Sequence, residues 1–144
     1  MSWTQLSPKE AHELVSAKSV SLIDVRTEIE FSQGHPASAY NIPWMLRRST
    51  KLVPNPHFID DVLKLCSHED QIILSCKSGN RSAQAAAALH AAGFSSLYEL
   101  EHGFEGEKDS FGRQTVDGWK TSGLPVSFDA AESRVYRRRR EEIS

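Results

Sequence analysis

Long apolar runs are missing from this sequence. None approaches the ~18 residues needed to cross a bilayer, so no membrane role is expected. The N-terminus, Met1 to Gln5, lacks the basic-then-apolar pattern of a secretory signal, and a cytoplasmic location is the default expectation. Cysteine is scarce: Cys66 and Cys76 are the whole complement. Two cysteines in a chain without a signal do not make a disulfide framework. There is no Cys-x-x-Cys and no His/Cys cluster at ligand spacing, so neither a metal nor a cofactor is called for. Six histidines are scattered between His12 and His102 and read mostly as surface or loop residues. No sign of charge dominates, and a net charge of −2 argues against a nucleic-acid partner. No internal repeat or linker divides the chain. What is present, 144 residues of which 39% are hydrophobic, suits one domain with a single core.

The apolar residues that do occur are grouped in short runs that alternate with helical patterns. Trp3 to Leu6 reads as a short strand. Ser7-Pro8-Lys9-Glu10 is a capping box with proline at the first helical position, and Ala11, Leu14 and Val15 give the helix it opens one apolar face to about Ser16. Val20 to Ile23 reads as a strand closed by Asp24-Val25-Arg26, Glu28 to Ser32 as a short helix, and Ala39 to Pro43 as an extended piece. Trp44 to Pro56 has no clear period, carries Arg47, Arg48 and Lys51, and is expected to be a long loop. It is either a solvated basic excursion or a functional one. The spacing of Phe58, Ile59, Val62, Leu63 and Cys66 marks an amphipathic helix with Cys66 on its apolar face. Cys66 therefore reads as core packing, with a resolving thiol for Cys76 as the alternative. Strands are expected at 71–75 and 97–100, with an alanine-rich helix from about 82 that stops near Gly93. The alternation argues for an α/β fold with a largely parallel sheet. From Gly103 to Gly118 the chain is polar, with Phe104 and Phe111 as expected anchors. A short helical turn opens at Asp117 and ends near Gly123, with Trp119 read as a core plug. The domain is placed at residues 1–128. Residues 129–144 form a charged tail with four arginines, Arg137 to Arg140, read either as a solvated extension or as a docking segment for an acidic partner.

One stretch carries chemistry: Ser75-Cys76-Lys77-Ser78-Gly79-Asn80-Arg81-Ser82. It joins the strand Ile72-Ile73-Leu74 to the alanine-rich helix, at the carboxyl edge where open parallel sheets bind ligands. Gly79 permits backbone angles that other residues avoid, and Ser78 and Asn80 are small and turn-friendly. Such a loop turns several N–H groups inward, and the helix adds its own unpaired N–H groups and dipole. The result is an anion cradle, with Lys77 and Arg81 adding positive charge. A cysteine there is favoured as thiolate, the nucleophilic form. A lone cysteine after a strand is also commonly a small buried hydrophobe; the glycine, asparagine, arginine and following helix are what favour a functional role. The loop itself holds no His, Asp or Glu to act as a base.

The chain, apart from its tail, resembles a single-domain rhodanese, a sulfurtransferase. Leu22-Ile23-Asp24-Val25-Arg26 with Glu30-Phe31, Gly34-His35 and Asn41-Ile42-Pro43 is similar to the N-terminal signature of that family. Cys76 to Ser82 resembles its active-site loop, and Gly93-Phe94, Leu97 and Gly103-Phe104 resemble its C-terminal signature. The likeness covers roughly residues 3 to 126. It departs at Pro36, where an aliphatic residue is usual, and at His102, where glycine is common. Lys108 to Trp119 looks like an extra excursion found in one branch of the family. The resemblance implies a central five-stranded, mostly parallel sheet flanked by helices and a ping-pong reaction. Cys76 thiolate attacks the outer sulfur of a donor such as thiosulfate, sulfite leaves, and a thiophilic acceptor removes sulfur from the Cys76 persulfide. Lys77, Ser78, Gly79, Asn80, Arg81 and Ser82 hold the persulfide and the donor through backbone N–H groups. Arg81, with Lys77 as a second candidate, takes the sulfonate end. Asp24 and Arg26 are expected to be a structural charged pair. Partners are small-molecule sulfur donors and acceptors, or a protein donor or acceptor.

Three other readings compete with this one. A cysteine phosphatase or arsenate reductase of related fold has five residues between its cysteine and arginine; four lie between Cys76 and Arg81, a smaller loop that suits sulfur better than phosphate. A non-catalytic binding module of this class often lacks the cysteine, which is present here. A persulfide carrier for a protein partner uses the same Cys76 chemistry and is not separated from a thiosulfate enzyme by the sequence; the basic segment 47–51 would be its docking surface.

Overall fold

The structure, a computed structural model, describes residues 3–17, 20–77 and 80–128. In chain order the elements are β1 Thr4–Leu6, α1 Pro8–Ser16, β2 Ser21–Asp24, α2 Glu28–Ser32, β3 His35–Pro36, β4 Tyr40–Asn41, β5 Met45–Arg48, β6 Lys51–Pro54, α3 Phe58–Leu65, β7 Gln71–Ser75, α4 Asn80–Ala91 and β8 Ser96–Leu100. Two small strands, β9 Glu107–Lys108 and β10 Gln114–Val116, and the final β11 Val126–Ser127 follow. Five strands form the central sheet in the order β1-β8-β7-β2-β4. All four of its pairings are parallel. Among the described residues no helix is long and apolar enough to cross a membrane.

Successive residues of a strand face opposite sides of a sheet, and here both sides are buried. Ile72 and Leu74 of β7 enter one core with Ile23, Val62, Ala85, Ala86 and Leu89, whereas Ile73 enters a second with Leu22, Ala11, Phe31 and Trp119. That is why the central strands read as continuous apolar runs and not as alternating ones. The alanines of α4 let its backbone lie close on the sheet. Both first helices carry complete capping boxes: Ser7 with Glu10, and Thr27 with Glu30. Trp119 is the expected plug, fully buried, and its indole N–H donates to the Pro125 carbonyl at 2.7 Å.

Two expectations are corrected. Residues 45–54 are a β-hairpin and not a loop, with Met45 opposite Pro54 and Arg48 opposite Lys51. The hairpin stands off the main sheet and buries little beyond Leu46, so it never needed the alternating pattern that reveals a half-buried strand. It is tied down at its base, where the Trp44 indole N–H donates to Gln84 of α4 at 2.8 Å and Asn55 Nδ2 donates to the Pro43 carbonyl at 2.9 Å. Phe111 is not an anchor: it is 81% exposed at the turn between β9 and β10, and the guanidinium of Arg113 lies over its ring. Phe104 is buried as expected. His35 is the buried histidine, stacked flat on Phe31 with a centroid separation of 3.6 Å. The tail 129–144 lies outside the described residues.

Candidate active site

Parallel strands deliver their carboxyl ends to one edge, and the chemistry collects there. β7 ends at Ser75, so Cys76 is the first residue past the sheet, and α4 begins four residues later at Asn80. Cys76 is 1% exposed. The Ser82 backbone N–H, in the unpaired first turn of α4, donates to Cys76 Sγ at 3.4 Å. The Cys76 thiol is in turn 3.5 Å from Ser82 Oγ.

The loop is held from behind by the segment after β8. Phe104 N–H donates to the Cys76 carbonyl at 2.7 Å and Glu105 N–H to the Lys77 carbonyl at 3.2 Å. These bonds occupy the carbonyls at the start of the loop. Gly103 has φ +65°, and a Cβ there would lie 2.5 Å from the Cys76 carbonyl oxygen and 2.6 Å from that of Lys77. Only glycine allows this approach.

Charges surround the loop in matched pairs. Arg26 and Asp24, both buried, form a bidentate pair at 2.7–3.1 Å, and Arg26 also donates to the Gly34 carbonyl and lies 4.5 Å over the Phe104 ring. The Asn41 amide closes the same corner by donating to the carbonyls of Asp24 and Arg26. Arg81 of α4 makes two hydrogen bonds to Glu30 of α2, at 2.7 and 3.0 Å. Burial alone would raise the Glu30 carboxyl, but the hydrogen bonds and charge of Arg81, with those of Thr27, hold it at about 2. The Glu30 carboxylate raises the Arg81 guanidinium further above its usual range. Lys77 is exposed and 3.8 Å from Glu105. Beside these groups is a cavity of about 300 Å³ whose lining includes Arg26, Glu30, Lys77, Phe104 and Lys120.

The structure therefore brings Cys76, Lys77, Asn80, Arg81 and Ser82 to one edge, with Asp24 and Arg26 beneath them; Ser78 and Gly79 lie outside the described residues. Two acids escaped the sequence reading. Glu30 figures there only as part of the N-terminal signature; it is the N3 partner of the Thr27 capping box, and its ion-pair partner Arg81 is 51 residues away. Glu99 lies buried in β8, bonded to Ser82 and to Gln5 of β1. A charged residue inside the apolar run Leu97-Tyr98-Glu99-Leu100 was the signal available.

Cys66 ends α3 in the core, 4% exposed, and burial pushes its thiol up, against a hydrogen bond with Ser21. A thiol kept protonated in an apolar setting is a poor nucleophile. Cys66→Ala is expected to leave turnover within about twofold of the parent in a steady-state assay, since the cysteine loop does not use it. A tenfold loss with the fold intact would restore the resolving-thiol reading.

This arrangement, a buried cysteine in a helix-capped loop at the carboxyl edge of a five-stranded parallel sheet, is that of a rhodanese. The chain belongs to the rhodanese-like domain family, whose model matches residues 7–109. It is 38% identical over 116 residues to thiosulfate sulfurtransferase 16, chloroplastic, of Arabidopsis thaliana, covering 81% of this chain and 86% of that one. The senescence-associated protein DIN1 of Raphanus sativus is 39% identical over 101 residues, 70% of this chain and 55% of the relative, so this chain spans about half of that protein. Among solved structures, the crystal structure of Rv0390 from M. tuberculosis has a TM-score of 0.75 at 28% identity, covering 89% of this chain and 100% of that one.

Proposed function

We propose that this protein is a sulfurtransferase that carries sulfane sulfur as a persulfide on Cys76. The observation that carries the reading is the placement of Cys76 Sγ at the start of α4, with the Ser82 N–H on the sulfur and the loop backbone braced from behind. Negative charge on sulfur is what such a site favours. The family membership and a relative named thiosulfate sulfurtransferase support thiosulfate as donor.

In the first half-reaction the Cys76 thiolate attacks the outer sulfur of thiosulfate. A Cys76–sulfur bond forms, the sulfur–sulfur bond of the donor breaks, and sulfite departs with the electron pair. In the second, a thiophilic acceptor attacks the outer persulfide sulfur and the thiolate is released. Backbone N–H groups of residues 77–82 stabilise the anionic sulfur through both steps. Arg81 orients the sulfonate: Glu30 occupies one edge of the guanidinium and fixes its plane, leaving further N–H groups for the donor. Arg81→Ala is then expected to raise the apparent KM for thiosulfate about tenfold with a smaller change in kcat. An unchanged KM removes Arg81 from the donor site.

The direct test is intact-protein mass spectrometry after brief exposure to thiosulfate. A gain of one sulfur atom that cyanide removes is the expected result. No gain, with Cys76 still alkylated readily, would overturn thiosulfate as donor and turn attention to a protein persulfide or to oxyanion chemistry.

The hairpin favours a second reading, persulfide exchange with a protein partner that presents acidic side chains. A groove of about 290 Å³ runs between α2 and the hairpin, with Ile29, Met45 and Leu46 among its lining and the exposed Arg47 and Arg48 at its edge. Reversing both charges (Arg47→Glu with Arg48→Glu) is expected to slow transfer from a synthetic Glu-rich peptide persulfide about tenfold or more and to leave thiosulfate turnover within about twofold. Equal effects on both donors would sink the docking role.

A further inference from the structure

Behind Cys76 runs a chain of hydrogen bonds that the sulfur-transfer steps above do not use. Cys76 Sγ is 3.5 Å from Ser82 Oγ, Ser82 Oγ is 2.9 Å from Glu99 Oε1, and Gln5 Nε2 donates to Glu99 Oε2 at 3.1 Å. Cys76, Ser82 and Glu99 are all buried, at 1%, 0% and 5% exposure. They come from three elements: the end of β7, the first turn of α4, and β8.

The chemistry of this chain is directional. An ionised carboxylate only accepts hydrogen bonds, and a serine hydroxyl has a single proton to give. With Glu99 ionised, the Ser82 hydroxyl proton points to Glu99, and that hydroxyl offers the cysteine only lone pairs beside the backbone N–H that already donates to the sulfur. In that orientation the hydroxyl accepts from a thiol and donates nothing to a thiolate. For Ser82 to donate to sulfur, Glu99 must carry a proton. The two buried acids, Cys76 and Glu99, are thereby coupled through one hydroxyl.

We propose that Ser82 and Glu99 form a proton relay for Cys76, with Ser82 in contact with the reacting sulfur and Glu99 acting through it as a positioning residue and proton store. As the thiolate forms, the Cys76 S–H bond breaks and its proton moves to Ser82 Oγ while the Ser82 hydroxyl proton moves to Glu99. Sulfur keeps the electron pair, the net charge of the trio is unchanged, and nothing is oxidised or reduced. The thiolate then faces a hydroxyl that donates to it. When an acceptor discharges the persulfide, the same hydroxyl receives the thiolate, and the proton returns from Glu99. The role within turnover rests on the sulfurtransferase reading; the coupling itself does not.

The surroundings suit Glu99 to this task. Burial raises its carboxyl, against lowering hydrogen bonds from Ser82 and Gln5, which brings its protonated form closer to neutrality. The other charged side chains around the loop are paired: Arg81, which interacts with Cys76, with Glu30, Arg26 with Asp24, and Lys77 with Glu105. The partners of Glu99 among the described residues, Ser82 and Gln5, are neutral.

Glu99→Gln mimics the loaded relay. With Gln5 still donating to the new side-chain oxygen, its amide N–H faces Ser82, and the serine proton turns to the sulfur. The test is the rate of Cys76 alkylation by iodoacetamide across pH, in a Cys66→Ala background so that one thiol is read. Glu99→Gln is expected to move the profile to lower pH, giving about a tenfold faster reaction on its acid limb for each unit of displacement. In Ser82→Ala the same Glu99→Gln change is expected to have no effect. Superimposable profiles for parent and Glu99→Gln would overturn the proposal. So would an equal displacement with and without Ser82, which would mean that the Glu99 charge acts through space. Should Glu99→Gln not fold, Gln5→Met removes one donor from the carboxylate, and the same direction of displacement is expected; none would overturn the relay. Alkylation needs no sulfur donor, so a failure of the sulfurtransferase reading would show in the mass measurement and not in this one.

Discussion

Cys76→Ser is expected to abolish sulfur transfer, with turnover falling roughly a thousandfold or more, while the protein stays folded. A serine hydroxyl is not ionised at neutral pH, even in a loop that favours negative charge, and it forms no persulfide. The oxygen is smaller than sulfur and enters a site that already holds polar partners, the Ser82 N–H and hydroxyl. The stability cost is therefore on the order of 1–2 kcal/mol. Steady-state assay and thermal denaturation of the same sample separate the two effects. Measurable turnover in a folded Cys76→Ser protein would remove Cys76 from the mechanism. Loss of folding would leave the assay silent, and Cys76→Ala would then be read in its place.

The second large effect concerns the corner under the loop. Asp24→Ala leaves the Arg26 guanidinium buried beside Gly34 and Phe104 without its carboxylate. Removing one member of a buried pair costs about 3–5 kcal/mol, because an uncompensated charge remains. For a chain of this size that is a fall in melting temperature on the order of 10 °C. Replacing both members, Asp24→Ala with Arg26→Met, is expected to be less damaging than Asp24→Ala alone, since no buried charge is stranded. A calorimetric scan of the three proteins decides it. If the double variant is the least stable, the contacts of Arg26 with Gly34 and Phe104 outweigh its charge. The turnover of Asp24→Ala, measured well below its melting point, bears on whether the pair supports the cysteine loop or only the fold.

These two predictions draw on different parts of the site. Cys76 acts on sulfur directly, whereas Asp24 and Arg26 fix the end of β2, which pairs with β7 up to Ser75. The register Asp24 opposite Ser75 puts the buried ion pair one residue from the nucleophile in the neighbouring strand. Val25 N–H donates to the Ser75 carbonyl at 2.8 Å, which extends the ladder to the last residue before the loop. Backbone hydrogen bonds thus join the strand end that carries Asp24 to the start of the cysteine loop.

The sequence by itself determined the elements whose local signals agree with their final environment. The capping box at Ser7, the apolar runs of β2, β7 and β8, and the alanine-rich α4 each carry their own instruction, so the parallel α/β order and the position of Cys76 at its edge were legible in the sequence. Local signals failed where burial is slight. The hairpin at 45–54 faces solvent on most of its surface and shows no period, and Phe111 looks apolar yet lies at a turn with nothing to pack against but Arg113. What only the tertiary structure decided is which charges meet. Glu30 and Arg81 are 51 residues apart, Ser82 and Glu99 are 17 apart, and Gln5 and Glu99 are 94 apart. Ion pairs and hydrogen-bond relays depend on distances of about 3 Å, and sequence spacing fixes such distances only within a helix turn or a cap. Across a sheet they are fixed by strand order and register, and so the acid behind the cysteine came into view only once β8 lay between β1 and β7.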